Sequence, residues 1–207
     1  MKQKERIKAI LFDLDGVLID SYLAWYHQFN DTLKYFGHRP ISEKVFRKHW
    51  GQSTEDDVRI FMPERTVDEV RKYFENHYHE YMDYLQINNE TKNVLRKLAK
   101  MKLKIGCVTN SHRNIVKKIL VNKRINNFFQ ILITADDVKR PKPAPDMLLK
   151  ACRRLRVLPQ ETIFVGDTKT DIKAGKNAGC LVIGYRTRAD MMAQNLEEIL
   201  TMVNKMV

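Results

Sequence analysis

The second part of the chain, residues 87–207, alternates between short apolar runs and amphipathic stretches, and this alternation constrains the fold more than any other feature. The apolar runs have the length of strands and fall at 104–109, 130–133, 162–166 and 181–184. Helical patterns lie around them at 90–101, 112–121, 145–154, 170–178 and 190–204. Apolar strands that alternate with helices are typical of a parallel sheet covered on both faces. The run IKAILF at 7–12 predicts one more strand of this sheet.

Residues 22–84 have a different character. They are rich in aromatic residues in helix-like patterns and show no convincing strand. Ser42, Ser53 and Thr66 follow breaks in the pattern and are suitable helix N-caps. We therefore predict an α/β protein in which three to four amphipathic helices form an inserted unit.

Composition narrows the class of protein. The 207 residues are 43% hydrophobic and 30% charged, which is ordinary for a globular chain, and no apolar run reaches the ~20 residues of a membrane span. The basic start, MKQKERIKAILF, runs directly into carboxylates and does not read as a secretory signal. Three cysteines without a Cys-x-x-Cys pair indicate neither a disulfide framework nor a zinc site. We expect a soluble, cytoplasmic protein.

Charge is unevenly distributed along the chain. Residues 1–86 hold 13 basic and 15 acidic residues, whereas 87–207 hold 24 basic and 10 acidic, for a net charge of +12. Such a skew fits either nucleic-acid binding or a positive field that attracts small anions. Solvated helix faces explain it equally well, so charge alone leaves these alternatives open.

Polar residues follow the predicted strands at their carboxyl ends. Asp13, Asp15 and Gly16 come after the first strand, Thr109 and Asn110 close the second, and Gly166-Asp167-x-x-x-Asp171 follows the fourth. Lys142 lies between two prolines before the helix at 145. Because ligands of parallel sheets bind beyond the carboxyl ends of the strands, we expect these side chains to share one edge.

This set of groups suits phosphoryl transfer. A carboxylate can attack phosphorus and form an acyl phosphate that water then cleaves. Asp13 and Asp15 point the same way on an extended chain, so one can attack while the other protonates the leaving alkoxide. Carboxylates on adjacent loops are ligands for Mg²⁺, and Gly16 lets the backbone turn tightly around a phosphate. A hydroxyl at Thr109 and an ammonium at Lys142 would hold the remaining phosphate oxygens.

Together these segments resemble the four sequence motifs of the haloacid dehalogenase superfamily. The motifs occur in the family's order: DLDGVLIDS from Asp13, then Thr109, then Lys142-Pro-x-Pro-Asp146, then Gly166-Asp167-x-x-x-Asp171. The resemblance covers essentially the whole chain. It implies a Rossmann-like parallel sheet core formed by 1–16 and 87–207, with an α-helical cap domain inserted at 17–86.

The resemblance also implies a role for each motif residue. Asp13 resembles the nucleophile and a metal ligand, and Asp15 resembles the acid/base, with its backbone carbonyl near the metal. Thr109, helped by the backbone at Asn110, resembles the phosphate-binding hydroxyl, and Lys142 the lysine that neutralises nucleophile and phosphate. Asp167 resembles a direct ligand of Mg²⁺, and Asp171 resembles a ligand or a partner of its waters.

Several activities exist within such a family. Asp15 favours phosphate chemistry, because the dehalogenases lack a second aspartate. The form of the metal motif resembles phosphoglycolate phosphatases and their pyrophosphatase relatives. A β-phosphoglucomutase-like activity fits less well, since Trp25 stands where such mutases have His and Gln52 follows Gly51 where they have Arg. We therefore expect a phosphatase that acts on small organic phosphomonoesters, with mutase, pyrophosphatase and nucleotide phosphatase as alternatives.

The cap segment should determine the substrate. We predict that His49–Thr54, and within it Trp50, Gln52 and Ser53, faces the substrate, although a plain turn between helices is an equal alternative. The cap has 9 basic and 12 acidic residues over 17–86, which disfavours a polyanion. Arg113, Arg186 and Arg188 lie near strand ends and are weaker candidates for a substrate carboxylate. We expect a small phosphorylated metabolite as partner, no specific nucleic acid, no membrane, and a monomer or homodimer.

Overall fold

The structure, a computed structural model, describes residues 6–207 except for the side chain of Asn89. Residues 1–5 of the predicted core, which include Lys2 and Lys4 of its basic start, lie outside the described residues. Within the described range the strands are β1 (Ala9–Phe12), β2 (Ile19–Asp20), β3 (Gln86–Ile87), β4 (Lys104–Thr109), β5 (Ile131–Thr134), β6 (Thr162–Gly166), β7 (Leu181–Tyr185) and β8 (Met191–Ala193).

Helices account for most of the remaining described residues. They are α1 (Tyr22–Tyr35), α2 (Glu43–His49), α3 (Thr54–Phe61), α4 (Val67–His77), α5 (Asn89–Lys100), α6 (Arg113–Asn122), α7 (Asp146–Leu155), α8 (Lys169–Ala178) and α9 (Leu196–Asn204). Short 3₁₀ turns lie at Tyr78–Tyr84, Asn126–Phe128, Ala135–Asp137 and Pro159–Glu161.

Six strands form one parallel sheet in the order β5-β4-β1-β6-β7-β8. The central strand β1 pairs with β4 on one side and β6 on the other, and all four of its residues are buried. Burial on both faces explains why β1 reads as a continuous apolar run. After β1 the chain adds β4 and β5 on one side of it, and then β6, β7 and β8 on the other side. The strand order therefore reverses at β1, and the carboxyl ends of β4, β1 and β6 lie next to this point.

The cap segment, residues 17–86, carries α1 to α4. Ser53 and Thr66 are N-caps whose side chains accept backbone hydrogen bonds, and Thr66 forms a full capping box with Glu69. Ser42 lies at the N-cap of α2, but its side chain makes no capping hydrogen bond. Rings from separate helices pack together inside the cap: Phe29 lies 5.7 Å from Phe46 and 5.3 Å from Phe61 between ring centroids. This explains the density of aromatic residues in the sequence.

Two strands that the sequence does not predict lie at the two ends of the cap segment. β2 and β3, two residues each, pair antiparallel where the chain enters and leaves the cap segment. Two residues are too few to produce a periodic signal, so only the tertiary pairing defines them.

The prediction of one long final helix at 190–204 is wrong. Met191–Ala193 forms the edge strand β8, which pairs in parallel with β7, and the helix begins only at Leu196. Asn195 ends the strand segment because its side chain caps the helix by accepting from the backbone N–H of Glu198. Pairing with β7 therefore overrides the helical pattern of the sequence.

The predicted α/β fold, with a parallel sheet and helices inserted after its first strand, is confirmed. The exact domain limits, 1–16 with 87–207 and 17–86, stay a prediction. No helix in residues 6–207 combines the length and the apolar character that crossing a membrane requires. Cys107, Cys152 and Cys180 are buried free thiols, in line with the absence of a disulfide framework.

Candidate active site

A cavity of about 80 Å³ lies between the carboxyl edge of the sheet and the cap segment. Its core wall consists of Asp13, Asp15, Thr109, Asn110, Ser111, His112, Lys142 and Thr168. Its cap wall consists of Trp25, Phe29, Phe46, His49, Trp50, Gly51, Gln52, Thr54, Asp57 and Phe74. The cavity thus brings together residues that are far apart in the sequence and that differ in chemistry from one wall to the other.

An acidic cluster with one buried lysine forms the floor of the site. Asp13, Asp167 and Asp171 each offer a carboxylate oxygen, and these three atoms lie within 4.8 Å of one another. Lys142 Nζ lies 2.9 Å from Asp13 Oδ1 and 2.6 Å from Asp171 Oδ1, and its side chain is 2% exposed. Asp171 also accepts hydrogen bonds from the backbone and hydroxyl of Thr168, which places it at the start of α8.

The Asp15 side chain is fixed by four hydrogen-bond donors. Its Oδ1 accepts from the Ser21 hydroxyl at 2.5 Å and from the Trp25 indole at 3.1 Å. Its Oδ2 accepts from the Ser111 hydroxyl at 2.7 Å and from the Thr109 hydroxyl at 3.3 Å. Three of these donors are hydroxyls, which can also rotate and accept a hydrogen bond.

Electrostatics in the floor favour an additional cation. Burial, and then repulsion from the Asp171 carboxylate, raises the pKa of Asp167 to about 7. Burial likewise raises the pKa of Asp13 well above 3.8, although Lys142 opposes the shift. Burial lowers the pKa of Lys142, but the charges of Asp13 and Asp171 outweigh it, so the net pKa is raised. The single ammonium group of Lys142 does not neutralise the three carboxylates of the acidic cluster.

The floor fits a divalent cation such as Mg²⁺. Asp167 Oδ1 is buried and has no hydrogen-bond partner among the described residues, so a lone pair is left for a ligand. Hard cations prefer carboxylate oxygens from adjacent loops, as Asp13 and Asp167 provide after β1 and β6. These two residues, with Asp171 beside them, are the ones that would hold the ion.

Gly16 allows this close approach. Its φ of +81° lies in the left-handed region, and a Cβ there would come within 2.1 Å of Asp167 Oδ2. A side chain at this position would therefore displace the carboxylate of the acidic cluster. Gly16 itself does not line the cavity, so its predicted contact with substrate stays a prediction.

Asn110 connects three segments of the site. Its amide donates to the carbonyls of Gly51 and Lys142, and its Oδ1 accepts from the backbone N–H of Lys142. The Asn110 side chain therefore holds the loop that contains Lys142 against the turn of the cap segment that contains Gly51. Its predicted role in phosphate binding, which concerned the backbone, stays untested.

The cap turn that was predicted to face the substrate does reach the core. The Trp50 indole donates to Asp167 Oδ2 at 3.2 Å. Gly51 has a φ of +83°, and a Cβ there would lie 2.6 Å from Thr168 Cγ2, so only glycine fits this approach. Gln52 lines the cavity and donates to Asp57 Oδ1 at 2.5 Å. Ser53, however, is buried as the N-cap of α3 and does not line the cavity.

A buried histidine links the two walls. His112 Nδ1 lies 2.9 Å from Asp136 Oδ1, and His112 Nε2 lies 2.9 Å from the Thr54 hydroxyl. Since a carboxylate only accepts, Nδ1 donates to Asp136, and Nε2 shares a hydrogen bond with the Thr54 hydroxyl. Arg71 of α4 reaches the same Asp136 carboxylate at 3.3 Å. Two cap helices are thus anchored to one point of the core.

None of the three candidate arginines lines the cavity. Arg113 bonds Asp137 and the carbonyl of Leu132, and the Arg186 guanidinium donates to the carbonyl of Gln194. Arg186 does border a neighbouring cleft, which also contains Arg47 and Asp167. Arg188 is exposed and lines neither space. These placements disagree with a role in gripping a substrate inside the cavity.

Several lining residues were missed by sequence reasoning. Ser111 follows Thr109 and Asn110 directly, so its place on the same strand end was a usable signal. Asp57 and His112 gave no such signal, because each lies in the first turn of a helix or at its cap, where polar residues are common for structural reasons. Thr54, the last residue of the predicted segment His49–Thr54, does line the cavity.

The sequence matches the family model of the haloacid dehalogenase-like hydrolases over residues 10–185, from the first strand through β7. The chain belongs to this family. Curated relatives agree: a pyrophosphatase PpaX from Anoxybacillus flavithermus is 34% identical over 179 residues, which cover 86% of this chain and 83% of that protein. A second PpaX, from Bacillus mycoides, is 33% identical over 84% of this chain and 81% of its own length.

Solved structures show the same fold for this hydrolase. A predicted phosphoglycolate phosphatase from Haemophilus somnus superposes with a TM-score of 0.79 at 24% identity, covering 98% of this chain and 99% of that one. A β-phosphoglucomutase from Clostridium difficile superposes with a TM-score of 0.83 at 23% identity, covering 96% and 98%. At these identities the likeness concerns the fold alone. The family predicted from the four motifs is confirmed, and the protein is a phosphatase-like hydrolase of it.

Proposed function

We propose that this hydrolase is a Mg²⁺-dependent phosphatase that cleaves small organic phosphomonoesters through an aspartyl-phosphate on Asp13. The observation that supports this most directly is the arrangement of Asp13 beside Lys142 and the acidic cluster, with Asp15 held separately by hydrogen-bond donors. Two carboxylates in different environments can take different roles in one reaction.

In the first step, an Asp13 carboxylate oxygen attacks phosphorus and the bond from phosphorus to the alcohol oxygen breaks. Asp15 gives its proton to the departing alkoxide, so that a neutral alcohol leaves. In the second step, water attacks the phosphorus of the acyl phosphate while Asp15 takes a proton from it. The bond between phosphorus and the Asp13 oxygen breaks, inorganic phosphate leaves, and both carboxyl groups return to their starting states.

Lys142 stabilises the negative charge that gathers on Asp13 and on the phosphoryl oxygens, since its ammonium already lies 2.9 Å from Asp13. Mg²⁺ bound by Asp13 and Asp167, with Asp171 beside them, would supply further positive charge for the phosphoryl group. The cap segment, which lines the cavity opposite Asp13 and Asp15, would reduce the access of bulk water to the reacting groups.

A second candidate is hydrolysis of inorganic pyrophosphate. It is favoured by the curated relatives, whose printed name is pyrophosphatase PpaX. The same residues would perform this reaction, with phosphate instead of an alcohol as the leaving group.

The proposal is tested by assaying p-nitrophenyl phosphate and pyrophosphate with and without Mg²⁺, using wild type and Asp13→Asn. An amide cannot form the acyl phosphate, so we expect kcat to fall by about 10³-fold or more. Asp20→Asn, an exposed residue of the same motif, is the matched control and should stay active. Acid quenching during turnover should yield a phosphorylated peptide that contains Asp13. Turnover by Asp13→Asn at the wild-type rate would exclude the mechanism.

Metal binding has a test that does not depend on turnover. We expect the melting temperature of the wild type to rise with Mg²⁺, because a ligand that binds only the folded state stabilises it. Asp167→Asn should abolish most of this rise. An equal rise in both proteins would place the ion elsewhere.

A further inference from the structure

The cap wall of the cavity is aromatic and, among the described residues, contains neither lysine nor arginine. Trp25, Phe29, Phe46, Trp50 and Phe74 contribute five rings to it. Among the described residues that line the cavity, no lysine or arginine comes from the cap, although the cap segment contains nine basic residues. The part of a substrate that extends from the phosphate toward the cap therefore meets rings and no lysine or arginine, and the imidazole of His49 lies beside Gln52, 3.2 Å from its amide oxygen.

The positively charged lysine of the core wall already pairs with carboxylates of the site. Lys142 is the only lysine or arginine that borders the cavity among the described residues, and its Nζ contacts both Asp13 and Asp171. A bound Mg²⁺ would serve the phosphoryl group. A second anionic group would thus have to leave water and lie among aromatic rings without a lysine or arginine as its partner, which is costly.

One acidic side chain of the cap wall faces this space. Asp57, in the first turn of α3, lines the cavity, and one of its oxygens accepts a hydrogen bond from Gln52. Among the described residues no cation lies within ion-pair distance of it. Its partial burial, with Asp56 and Glu55 nearby, raises the pKa of its carboxyl to about 7. An ammonium group beside Asp57 would supply the missing partner, and aromatic faces attract cations as well.

We propose, on the basis of the function proposed above, that the preferred substrates are phosphomonoesters of small amino alcohols. Their phosphate lies on the core wall, and their ammonium group lies against Asp57 and the aromatic rings. The cap wall selects against esters whose alcohol carries a carboxylate or a second phosphate. Asp57 is the specificity-determining residue.

A matched series of two-carbon esters tests this directly. 2-Aminoethyl phosphate, ethyl phosphate and phosphoglycolate differ mainly in the charge of the group at the far carbon, which is positive, neutral or negative. With the Mg²⁺-loaded wild type we expect kcat/KM to fall in that order, by about tenfold at each step, the size expected for one cation–π or ion-pair contact. An equal or higher kcat/KM for phosphoglycolate or pyrophosphate would overturn the inference.

Asp57→Asn assigns the preference to one side chain. We expect the ratio of kcat/KM for 2-aminoethyl phosphate to that for ethyl phosphate to fall about tenfold toward unity, because the amide retains shape but not charge. Asp56→Asn is the matched control, because it removes the same charge from the preceding residue, which pairs with Arg59 and does not line the cavity. This variant should keep the wild-type ratio of the two kcat/KM values. An unchanged ratio in Asp57→Asn would show that Asp57 does not bind the substrate.

The failures of the two proposals are distinguishable. If p-nitrophenyl phosphate and all three esters stay intact with Mg²⁺, the phosphomonoesterase function itself is wrong. If they are hydrolysed through Asp13 but phosphoglycolate is preferred, only the inference about the cap wall fails. The anionic tail would then lie in the neighbouring cleft, where Arg47 and Arg186 are found and which Trp50 also borders.

Discussion

The two walls of the cavity solve different physical problems. The core wall concentrates charge: Asp13, Asp15 and Lys142 come from strand ends and loops that the parallel sheet fixes in place. The cap wall concentrates apolar surface from helices that pack through their rings, with Asp57 as its acidic group. Groups that must react need rigid placement, whereas groups that choose among substrates need shape and a small number of polar contacts. The chemistry is therefore separable from the specificity by mutation.

The largest effect should come from breaking the core wall at Lys142. Lys142→Met leaves Asp13 and Asp171 buried without their ammonium partner, so we expect the free energy of unfolding to fall by about 3–5 kcal/mol. Activity should fall by about 10²-fold or more, because positive charge near the phosphoryl group is lost. Urea denaturation and steady-state kinetics measure the two effects.

Lys150→Met is the matched control for this change. Lys150 lies on α7, and its Nζ is 3.8 Å from Asp137 in a partly exposed ion pair. Lys150→Met should lower the free energy of unfolding by less than about 1 kcal/mol. Equal destabilisation by both substitutions would mean that the buried ion pairs of Lys142 contribute no more to the free energy of unfolding than a partly exposed ion pair does.

An intermediate effect is expected on the cap wall, where the pKa of Asp57 is raised from 3.8 to about 7 by burial. Since the folded state holds this proton more tightly than the unfolded state, the free energy of unfolding falls as pH rises from about 4 to about 7. Asn cannot ionise. Relative to wild type, Asp57→Asn should gain about 2 kcal/mol of stability between pH 5 and pH 8, which allows for the partial exposure of Asp57. Melting curves across this range in Mg²⁺-free buffer provide the measurement, and a constant difference would contradict the assignment.

The smallest effect is expected where the walls are joined. Thr54→Val removes the hydroxyl that is hydrogen-bonded to His112 Nε2 and leaves a buried ring nitrogen without this partner. We expect a cost of about 1–2 kcal/mol to cap docking, seen as a several-fold rise in KM with little change in kcat. Thr32→Val makes the same chemical change inside the cap, where the hydroxyl donates to the carbonyl of Gln28, and should leave KM unchanged. A normal KM in Thr54→Val would show that this hydrogen bond does not hold the cap.

The core wall was largely predictable from the sequence, and the cap wall was not. Asp13, Thr109 and Asp167 follow strands of one parallel sheet, and the topology of such a sheet brings their carboxyl ends together. Trp50 touches Asp167 across 117 positions of sequence, a contact that depends on how the helices dock and leaves no periodic pattern. The edge strand β8 was missed for a related reason, since its neighbour β7 and not its own sequence determines its conformation.

Both tryptophans of the chain donate their indole N–H to carboxylates of the site, Trp25 to Asp15 and Trp50 to Asp167. The tryptophan fluorescence of the protein therefore originates beside the reacting groups. Removing Trp25 by substitution leaves an emission that reports on Asp167 alone, and removing Trp50 leaves one that reports on Asp15. The molecule carries its own pair of optical probes, one for the proposed ion site and one for the proposed proton donor.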